Sequence, residues 1–328
     1  MKIKNFIYSI ILSKFFLAIV VYIRITPILW ILKELPPSKF KVVLGDIFDP
    51  NNLRKKIGYR FQENLVKFSW RVGGEFIVDR NEHLGYRFYI NKEFDSTIIK
   101  LGEILGFSAD GILLDIGANI GSVSIPFAKK FGVEVIAIEA SSRNASLLLK
   151  NISLNAARFS VHNNCVVSPE THSSRDFIKI FVKNGNSAAN SIYENWNKSI
   201  SQQEIEFSKT ATVDQLLSDR DLEKIGLIKI DVEGAEEEVL RGFTSIAKTD
   251  APIVFEYRVD VLQKDLNQSG KELIAELEKN FKLFGIKIID SQIMLIDFDS
   301  TLPVANAIGL PLRNWQEYFL KLSPSLST

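Results

Sequence analysis

The chain contains little cysteine and histidine, with one cysteine and three histidines among its 328 residues. A single thiol cannot form a disulfide within the chain, which suits a reducing compartment, so we expect a cytoplasmic protein. Cys165 is interpreted as a small buried apolar residue rather than a reactive thiol. The histidines form no pair at the spacing of a zinc motif, so the sequence predicts no metal site built on them.

The chain also lacks charge of one sign and long apolar runs. Its 40 basic and 39 acidic residues leave a formal net charge of +1, so we expect no nucleic acid among its partners. The first forty residues are rich in apolar side chains, but no uncharged stretch among them, residues 15–23 included, is longer than nine residues. A helix needs about 20 apolar residues to cross a bilayer, so this segment is too short to span one.

Basic residues dominate this N-terminal segment, with seven lysines and arginines against one acid, Glu34, in the first 41 residues. Two interpretations of residues 1–33 are open. In the first, they form a helix attached to the inner face of a membrane, with cations at anionic headgroups and apolar side chains in the interface. In the second, they form a helical hairpin that packs on the main domain.

Composition and periodicity divide the chain into four regions. These are an apolar segment over residues 1–37, accessory strands and a helix over 38–105, the main domain over 106–300, and a C-terminal tail over 301–328. In the accessory region, residues 75–79 and 86–90 are expected to pair as a hairpin and residues 96–105 to form a helix.

The main domain begins with a strand, a glycine turn, a helix and a second strand. Apolar stretches predict buried strands at residues 112–114, 133–138, 159–167, 227–230 and 253–255, and a terminal pair at 281–290 and 292–297. Buried strands that alternate with helices indicate a doubly wound α/β fold, whose mostly parallel sheet is covered on both faces. Residues 176–213 interrupt this alternation around a polar loop, and we interpret them as an insertion near the site.

A glycine loop after the first of these strands is the strongest signal of chemistry. The strand ends at Asp115, glycines follow at 117 and 121, and a helix begins. A dinucleotide fingerprint would need glycine at positions 119 and 122, which hold Asn and Ser, and no Walker loop is present. An acid at the strand end fits a ligand with an ammonium group, such as S-adenosylmethionine, whose amino-acid part carries an ammonium and a carboxylate.

A second acid, Glu139, ends the second strand some 20 residues after the loop. A carboxylate at this place can accept hydrogen bonds from both ribose hydroxyls of an adenosine. The alternative is an acid at the surface end of a strand. We favour ribose binding because Asp115 lies at the same edge of the predicted sheet.

A third signal follows the strand over residues 227–230. Asp231 and Glu233 lie at its carboxyl end, and Gly234 turns the chain into a helix whose first acids suit the helix dipole. Carboxylates close together raise one another's proton affinity, so one of Asp231, Glu233 and Glu256 can serve as a general base. We place Asp231 ahead of Glu233. Two alternatives stay open: Asp231 and Glu233 only bond to the turn, or the three acids hold Mg²⁺.

Two motifs together resemble the FkbM family of class I methyltransferases: Asp115-Ile-Gly-Ala-Asn-Ile-Gly121 and Ile228-Lys-Ile-Asp-Val-Glu-Gly-Ala-Glu236. The resemblance covers roughly residues 85–260 and implies a seven-stranded sheet with an antiparallel last strand. It also implies S-adenosylmethionine as cofactor and methyl transfer, commonly to a hydroxyl of a sugar or natural product. The residues expected to bind the cofactor are Asp115, Gly117, Ala118, Asn119, Gly121, Glu139, Ala140, Asn164 and Val166.

The sequence therefore predicts an S-adenosylmethionine-dependent methyltransferase that methylates a hydroxyl of a sugar, glycan or related natural product. One alternative is methylation of nitrogen, or of a protein or lipid acceptor, which the same cofactor loop would serve. Another is a binding protein that keeps the fold without catalysis. The presence of four acids at the sheet edge argues against it, namely Asp115, Glu139, Asp231 and Glu233. A nicotinamide oxidoreductase is disfavoured by the missing glycines.

Overall fold

A computed structural model describes residues 65–69, 74–91, 97–183, 185–196, 202–289, 292–301 and 304–323. The segment over residues 1–37, with its two interpretations, lies outside the described residues. No helix within the described ranges is both long and apolar enough to cross a bilayer. The chain divides into two compact units, and residues 65–69, 74–91 and 185–188 are the described part of the first.

The first unit contains the strands β1 (Leu65–Ser69) and β2 (Glu75–Asp79) and the helix α1 (His83–Asn91). The two strands pair antiparallel, and the ring of Phe76 in β2 lies 4.7 Å from that of Phe88 in α1, edge to face. The hairpin expected between residues 75–79 and 86–90 is therefore wrong, because the second segment is helical. Most residues of α1 are buried, and an apolar run buried on most sides has no periodicity that separates helix from strand.

The second unit contains all the other strands and α-helices of the described residues. In chain order they are α2 (Thr97–Leu105), β3 (Ile112–Ile116), α3 (Ser124–Phe131), β4 (Glu134–Ile138), α4 (Ser142–Asn155), β5 (Phe159–His162), β6 (Cys165–Val166), α5 (Pro169–Ser174), β7 (Phe177–Lys183), β8 (Gln202–Ala211), α6 (Val213–Leu216), β9 (Ile225–Ile230), α7 (Glu236–Arg241), β10 (Ile253–Tyr257), α8 (Val259–Val261), α9 (Lys271–Glu278), β11 (Phe281–Ile289), β12 (Gln292–Asp297), β13 (Val304–Pro311) and α10 (Trp315–Leu322).

The main sheet of this unit has eight strands in the order β12-β11-β13-β10-β9-β3-β4-β5. The strands from β10 to β5 are parallel, and β13 runs antiparallel to both of its neighbours. The doubly wound α/β fold and the antiparallel last strand are confirmed, and β12 adds an eighth strand at one edge. Every residue of β3 is buried, as expected for a central strand covered on both faces.

The strand β13 was not predicted, because its residues were assigned to the C-terminal tail. Its sequence contains alanine, asparagine and glycine, which lack the β-branched and aromatic bias of most strands. Packing explains this composition, since a Cβ on Gly309 would lie 2.8 Å from the Ile253 side chain and 2.9 Å from Phe281. The four proposed region boundaries remain a prediction.

A second, three-stranded sheet has the order β6-β8-β7, in which β7 and β8 form a long antiparallel hairpin. The single strand expected over residues 159–167 is therefore wrong, since β5 lies in the main sheet and β6 in this one. Asn163 lies at the break, where its side-chain amide donates to the Glu139 carbonyl at 2.8 Å. This bond stabilises the turn at which the chain leaves the main sheet. Apolar periodicity gives no sign of it.

Candidate active site

The glycine loop after β3 lies against the end of β9. Gly117 has a φ of +86°, and a Cβ there would lie 1.8 Å from the Asp231 carbonyl oxygen. Only glycine tolerates both this conformation and this approach. The Gly117 and Ala118 amides donate to the Ile138 carbonyl at 2.9 and 3.1 Å, so the loop is joined to the ends of both neighbouring strands.

Asp115 is the penultimate residue of β3, and its side chain is fully buried. The Lys229 ammonium lies 3.2 Å from its Oδ1, whereas no hydrogen-bond donor of the described residues reaches Oδ2. A buried carboxylate oxygen without a donor carries a free-energy penalty until a ligand or water supplies one. Asp115 therefore fits a ligand with an ammonium group.

Lys229 connects this acid to the next strand. Its Nζ lies 3.4 Å from Asp231 Oδ2 and donates to the Gly117 carbonyl at 3.3 Å. Burial alone would lower the pKa of Lys229, but the negative charges of Asp115 and Asp231 outweigh it and raise the pKa above its usual range. Sequence reasoning missed Lys229. The available signal was a charged residue inside an otherwise apolar strand, which is rare unless the charge is paired.

Glu139 follows β4 and is 7% exposed. Its Oε2 accepts from the Asn119 amide at 2.8 Å and its Oε1 from the Ser141 amide at 2.9 Å, so it connects the glycine loop to the second strand. Burial raises the pKa of Glu139 to about 7, although these hydrogen bonds lower it in part. Oε1 also accepts from the Asn144 side chain at 3.5 Å, whereas Oε2 has a second lone pair that can accept from a ribose hydroxyl.

The remaining residues expected at the cofactor differ in their placement. Asn119 has a φ of +52°, and its side chain accepts from the Ile120 amide at 2.8 Å, which stabilises this left-handed turn. Gly121 has a φ of +84°, and Ala140 is half-buried beside Glu139. Asn164 donates to the Lys209 carbonyl at 3.3 Å, and Val166 is buried in the core. No hydrogen bond among the described residues joins Asn164 or Val166 to Glu139.

Three acids converge at the carboxyl ends of β9 and β10. Carboxylate oxygens of Asp231, Glu233 and Glu256 all lie within 4.8 Å of one another. Asp231 and Glu233 follow β9, and Glu256 lies near the end of β10, which pairs with β9 in parallel. Because parallel strands end at the same edge of a sheet, the three side chains meet beside the Asp115 loop, as the sequence predicted.

Glu233 is held by the insertion between β7 and β8. The Trp196 indole donates to Glu233 Oε2 at 2.8 Å, and the Ser191 hydroxyl donates to the Glu233 carbonyl at 2.7 Å. Glu233 has a φ of +56°, and a Cβ on Gly234 would lie 2.5 Å from the Trp196 ring. Sequence analysis expected this insertion near the site but did not identify Trp196 or Ser191.

The environment of Glu233 and Glu256 favours the protonated forms of these two side chains. Burial, and then the charges of Asp231 and Glu256, raise the pKa of Glu233 well above its usual value. Burial and the charge of Asp231 likewise raise the pKa of Glu256 to about 8. Glu236 has a structural role, because its side chain accepts from the Val232 and Gly234 amides. We call Asp231, Glu233 and Glu256 the acid triad. Its glutamates can accept a proton near neutral pH, and its oxygens also suit a hard cation such as Mg²⁺.

The chain matches the model of the methyltransferase FkbM domain over residues 115–283. It belongs to the FkbM methyltransferase family. The matched range contains the glycine loop, Glu139 and the acid triad. No curated protein sequence matches the chain.

Solved structures with a similar arrangement include the following three proteins. Precorrin-6y C5,15-methyltransferase from Geobacter metallireducens is 14% identical, with 65% of this chain and 86% of that chain covered and a TM-score of 0.36. TYW2 from M. jannaschii, in complex with AdoMet, is 13% identical, with 76% and 86% covered and a TM-score of 0.39. TYW2 from P. horikoshii, in complex with MeSAdo, is 15% identical, with 77% and 72% covered and a TM-score of 0.38. Similarity at this level does not identify a substrate.

Membership of this family makes the protein an S-adenosylmethionine-dependent methyltransferase. The residues present fit this cofactor. Asp115 offers a buried carboxylate oxygen without a donor, Glu139 retains acceptor capacity, and the glycine loop brings the backbone close to both.

Proposed function

We propose that the protein transfers a methyl group from S-adenosylmethionine to a hydroxyl oxygen of a sugar, a glycan or a related natural product. The observation that carries this proposal is the convergence of Asp231, Glu233 and Glu256 within 4.8 Å. Lys229 joins Asp231 to Asp115 in the glycine loop, so the triad lies beside the cofactor residues. An alcohol must lose its proton as it attacks a methyl group, and this cluster supplies a base.

In this proposal the cofactor residues divide into three groups: two acids, the glycine loop and the residues on the adenine side. Asp115 binds the ammonium group of the amino-acid part, and Glu139 binds the ribose hydroxyls. The loop residues Gly117, Ala118, Asn119 and Gly121 bring the backbone close to the ligand. Ala140, Asn164 and Val166 are assigned to the adenine side, on their position after β4 and β5.

When bound, S-adenosylmethionine supplies a methyl carbon that its positive sulfur has already activated. Asp231, Glu233 and Glu256 would orient the acceptor hydroxyl toward this methyl group, and the neutral thioether would be the other product. The hydroxyl proton moves to a carboxylate of the triad, which later releases it to water. The protein contributes orientation and a base, because the leaving group needs no protonation.

Within the triad we assign the proton to Glu256 or Glu233, ahead of Asp231, which the sequence favoured as the base. We assign a supporting charge to Asp231. Asp231 is paired with Lys229, and its negative charge raises the pKa of both glutamates. A base whose pKa is near the working pH is the most effective, and the pKa of about 8 at Glu256 meets this condition. Trp196 fixes the orientation of Glu233 toward the same space.

The geometry of the triad also favours a second route to the same product. Three carboxylates with oxygens this close can hold a divalent cation, which would lower the pKa of a hydroxyl bound to it. The acceptor and product are unchanged in this route. Only the group that promotes loss of the hydroxyl proton differs.

The test incubates the purified full chain with S-adenosylmethionine that carries a deuterated methyl group and with panels of sugars, glycans and glycolipids. Mass spectrometry should detect one labelled methyl on an acceptor, and fragmentation should place it on oxygen. The variant D231N/E233Q/E256Q is the matched control and should give no product. A label on nitrogen would contradict the hydroxyl assignment. Binding of the cofactor without transfer to any member of these panels would contradict the proposed acceptor class.

Two further arms separate the routes. Transfer that is lost with a chelator and restored by Mg²⁺ assigns the triad to a metal. Transfer that is unaffected by the chelator assigns the triad to direct proton removal.

A further inference from the structure

The hairpin of β7 and β8 exposes an apolar face that the proposed function does not use. The antiparallel register pairs Phe177 with Lys209, Lys179 with Phe207, and Phe181 with Ile205, so the six side chains share one face. Phe177 is 59% exposed, Phe207 62% and Ile205 42%. We call these six residues the hairpin face.

The opposite side of the hairpin accounts for its packing. Ile178 and Ile180 are buried there with Cys165 and Val167 in a small hydrophobic cluster. The exposed side chains therefore add nothing to this cluster. Clustered large apolar side chains at a protein surface mark interaction sites more often than single ones do.

Charge restricts what can cover the hairpin face. Lys179 and Lys209 are exposed on it, and no acid of the described hairpin residues alternates onto the same side. Glu206 lies on the opposite side and accepts from the Ser141 hydroxyl at 2.8 Å. A matching surface must therefore supply both apolar groups and negative charge.

This requirement disfavours two occupants from the chain itself. A second copy that packed face to face would bury four lysines without an acid from either hairpin face, which carries a large desolvation penalty. The N-terminal segment has seven basic residues and one acid in its first 41 residues, so it offers no surplus of negative charge. Nucleic acid is anionic, but two cations neutralise few phosphates.

We propose that the hairpin face binds the surface of an anionic lipid bilayer. The phenylalanines and Ile205 enter the interface between headgroups and acyl chains, and the two lysines contact anionic headgroups. The inference does not depend on the methyl acceptor. Stable attachment to a membrane usually needs two signals, and the basic apolar segment over residues 1–33 is a candidate for the second.

The first test measures co-sedimentation of the full chain with phosphatidylcholine vesicles, with and without phosphatidylglycerol. Wild type should bind the anionic vesicles more tightly. The variant K179Q/K209Q should lower this binding by about thirtyfold, on about 1 kcal/mol per lysine, and leave binding to neutral vesicles unchanged. F177S/F207S should weaken binding to both. The control M294S/L320S removes exposed apolar side chains elsewhere and should match wild type.

A second measurement reports the hairpin directly, whatever residues 1–33 contribute. An environment-sensitive dye is attached at I205C, because the thiol of Cys165 is buried and resists labelling. Anionic vesicles should shift its emission to the blue, and a dye at L320C should not respond. An unshifted dye at position 205 would overturn the proposal. So would a dimer that F177S/F207S dissociates, or a response to oligonucleotides but not to vesicles.

Discussion

The Lys229 ammonium lies 3.2 Å from the Asp115 carboxylate, inside the sheet and almost out of contact with solvent. This ion pair crosses from β9 to β3, the two strands at the point where the strand order reverses. Because Lys229 also contacts Asp231, one cation joins the acid proposed for the cofactor to an acid proposed for catalysis.

The first prediction concerns this ion pair. K229M removes the positive charge and leaves the buried Asp115 without its counter-charge, so the free energy of unfolding should fall by about 3–5 kcal/mol. Urea denaturation measures the change, and the free energy of unfolding should fall less in K229R, which keeps the positive charge. The control K130M removes the exposed pair with Glu103, which should contribute only about 0–1 kcal/mol. A loss in K229M no larger than in K130M would mean that the buried ion pair does not stabilise the fold.

The second prediction concerns Glu139 and the cofactor. E139A should weaken binding of S-adenosylmethionine by about ten- to a hundredfold, the loss expected for charge-assisted hydrogen bonds to the ribose. Calorimetry needs no acceptor for this measurement. Glu134 lies at the opposite end of β4 and pairs with Arg220, so E134A serves as the control on the same strand. Unchanged affinity in a folded E139A protein would refute the ribose assignment.

The third prediction compares two glycines with positive φ. Gly117 has a φ of +86° and faces the Asp231 carbonyl at 1.8 Å from an added Cβ, whereas Gly106 has a φ of +69° and open space. G106A should lose about 1 kcal/mol from backbone strain alone. G117A must also displace β9 from the loop, so its free energy of unfolding should fall clearly more than that of G106A. It should also bind S-adenosylmethionine poorly. Equal losses in thermal unfolding would mean that the loop can move away from β9.

The acids of the candidate site were predictable because each lies near the carboxyl end of a buried strand. Asp115, Glu139 and Asp231 follow apolar stretches, and a parallel sheet brings such ends to one edge. Lys229 was not recognised, because apolar periodicity treats a lysine as an interruption of the strand. Its partner Asp115 also lies 114 residues earlier in the chain. Trp196 was missed for a similar reason, because it meets Glu233 across 37 residues of chain.

The errors in the fold have a physical cause of the same kind. The helix α1 and the strand β13 are buried on several sides, so packing partners rather than amphipathic spacing determine their form. The glycine and alanines of β13 fit because Ile253 and Phe281 fill the space beside them. Local sequence carries no record of such neighbours.

The fourth prediction concerns residues 1–33. If their basic and apolar side chains attach the chain to the inner face of a membrane, a truncation beginning at Pro36 should move protein from the membrane fraction to the soluble fraction at low salt. Raising the salt concentration should release part of the full chain, because salt screens the headgroup contacts. A full chain that stays in the soluble fraction at low salt would indicate a packing role for the segment.

The last prediction concerns the acid triad and pH, with an acceptor found by mass spectrometry. D231N, E233Q and E256Q keep the side-chain shapes and remove one charge each, so turnover should fall by about 10² to 10⁴ while cofactor affinity changes little. Burial raises the pKa of Glu256 to about 8, and a base acts only when it is deprotonated. Turnover of the wild type should therefore rise from pH 7 to pH 9, with an inflection that reports the pKa of Glu256. The positive sulfonium of the bound cofactor should move this inflection to lower pH. In E256Q this inflection should disappear, whereas in D231N it should move down, because Asp231 no longer raises the pKa of Glu256. An inflection that survives in E256Q assigns the base to Glu233, and wild-type turnover in all three folded variants would reduce the triad to groups that shape the turn.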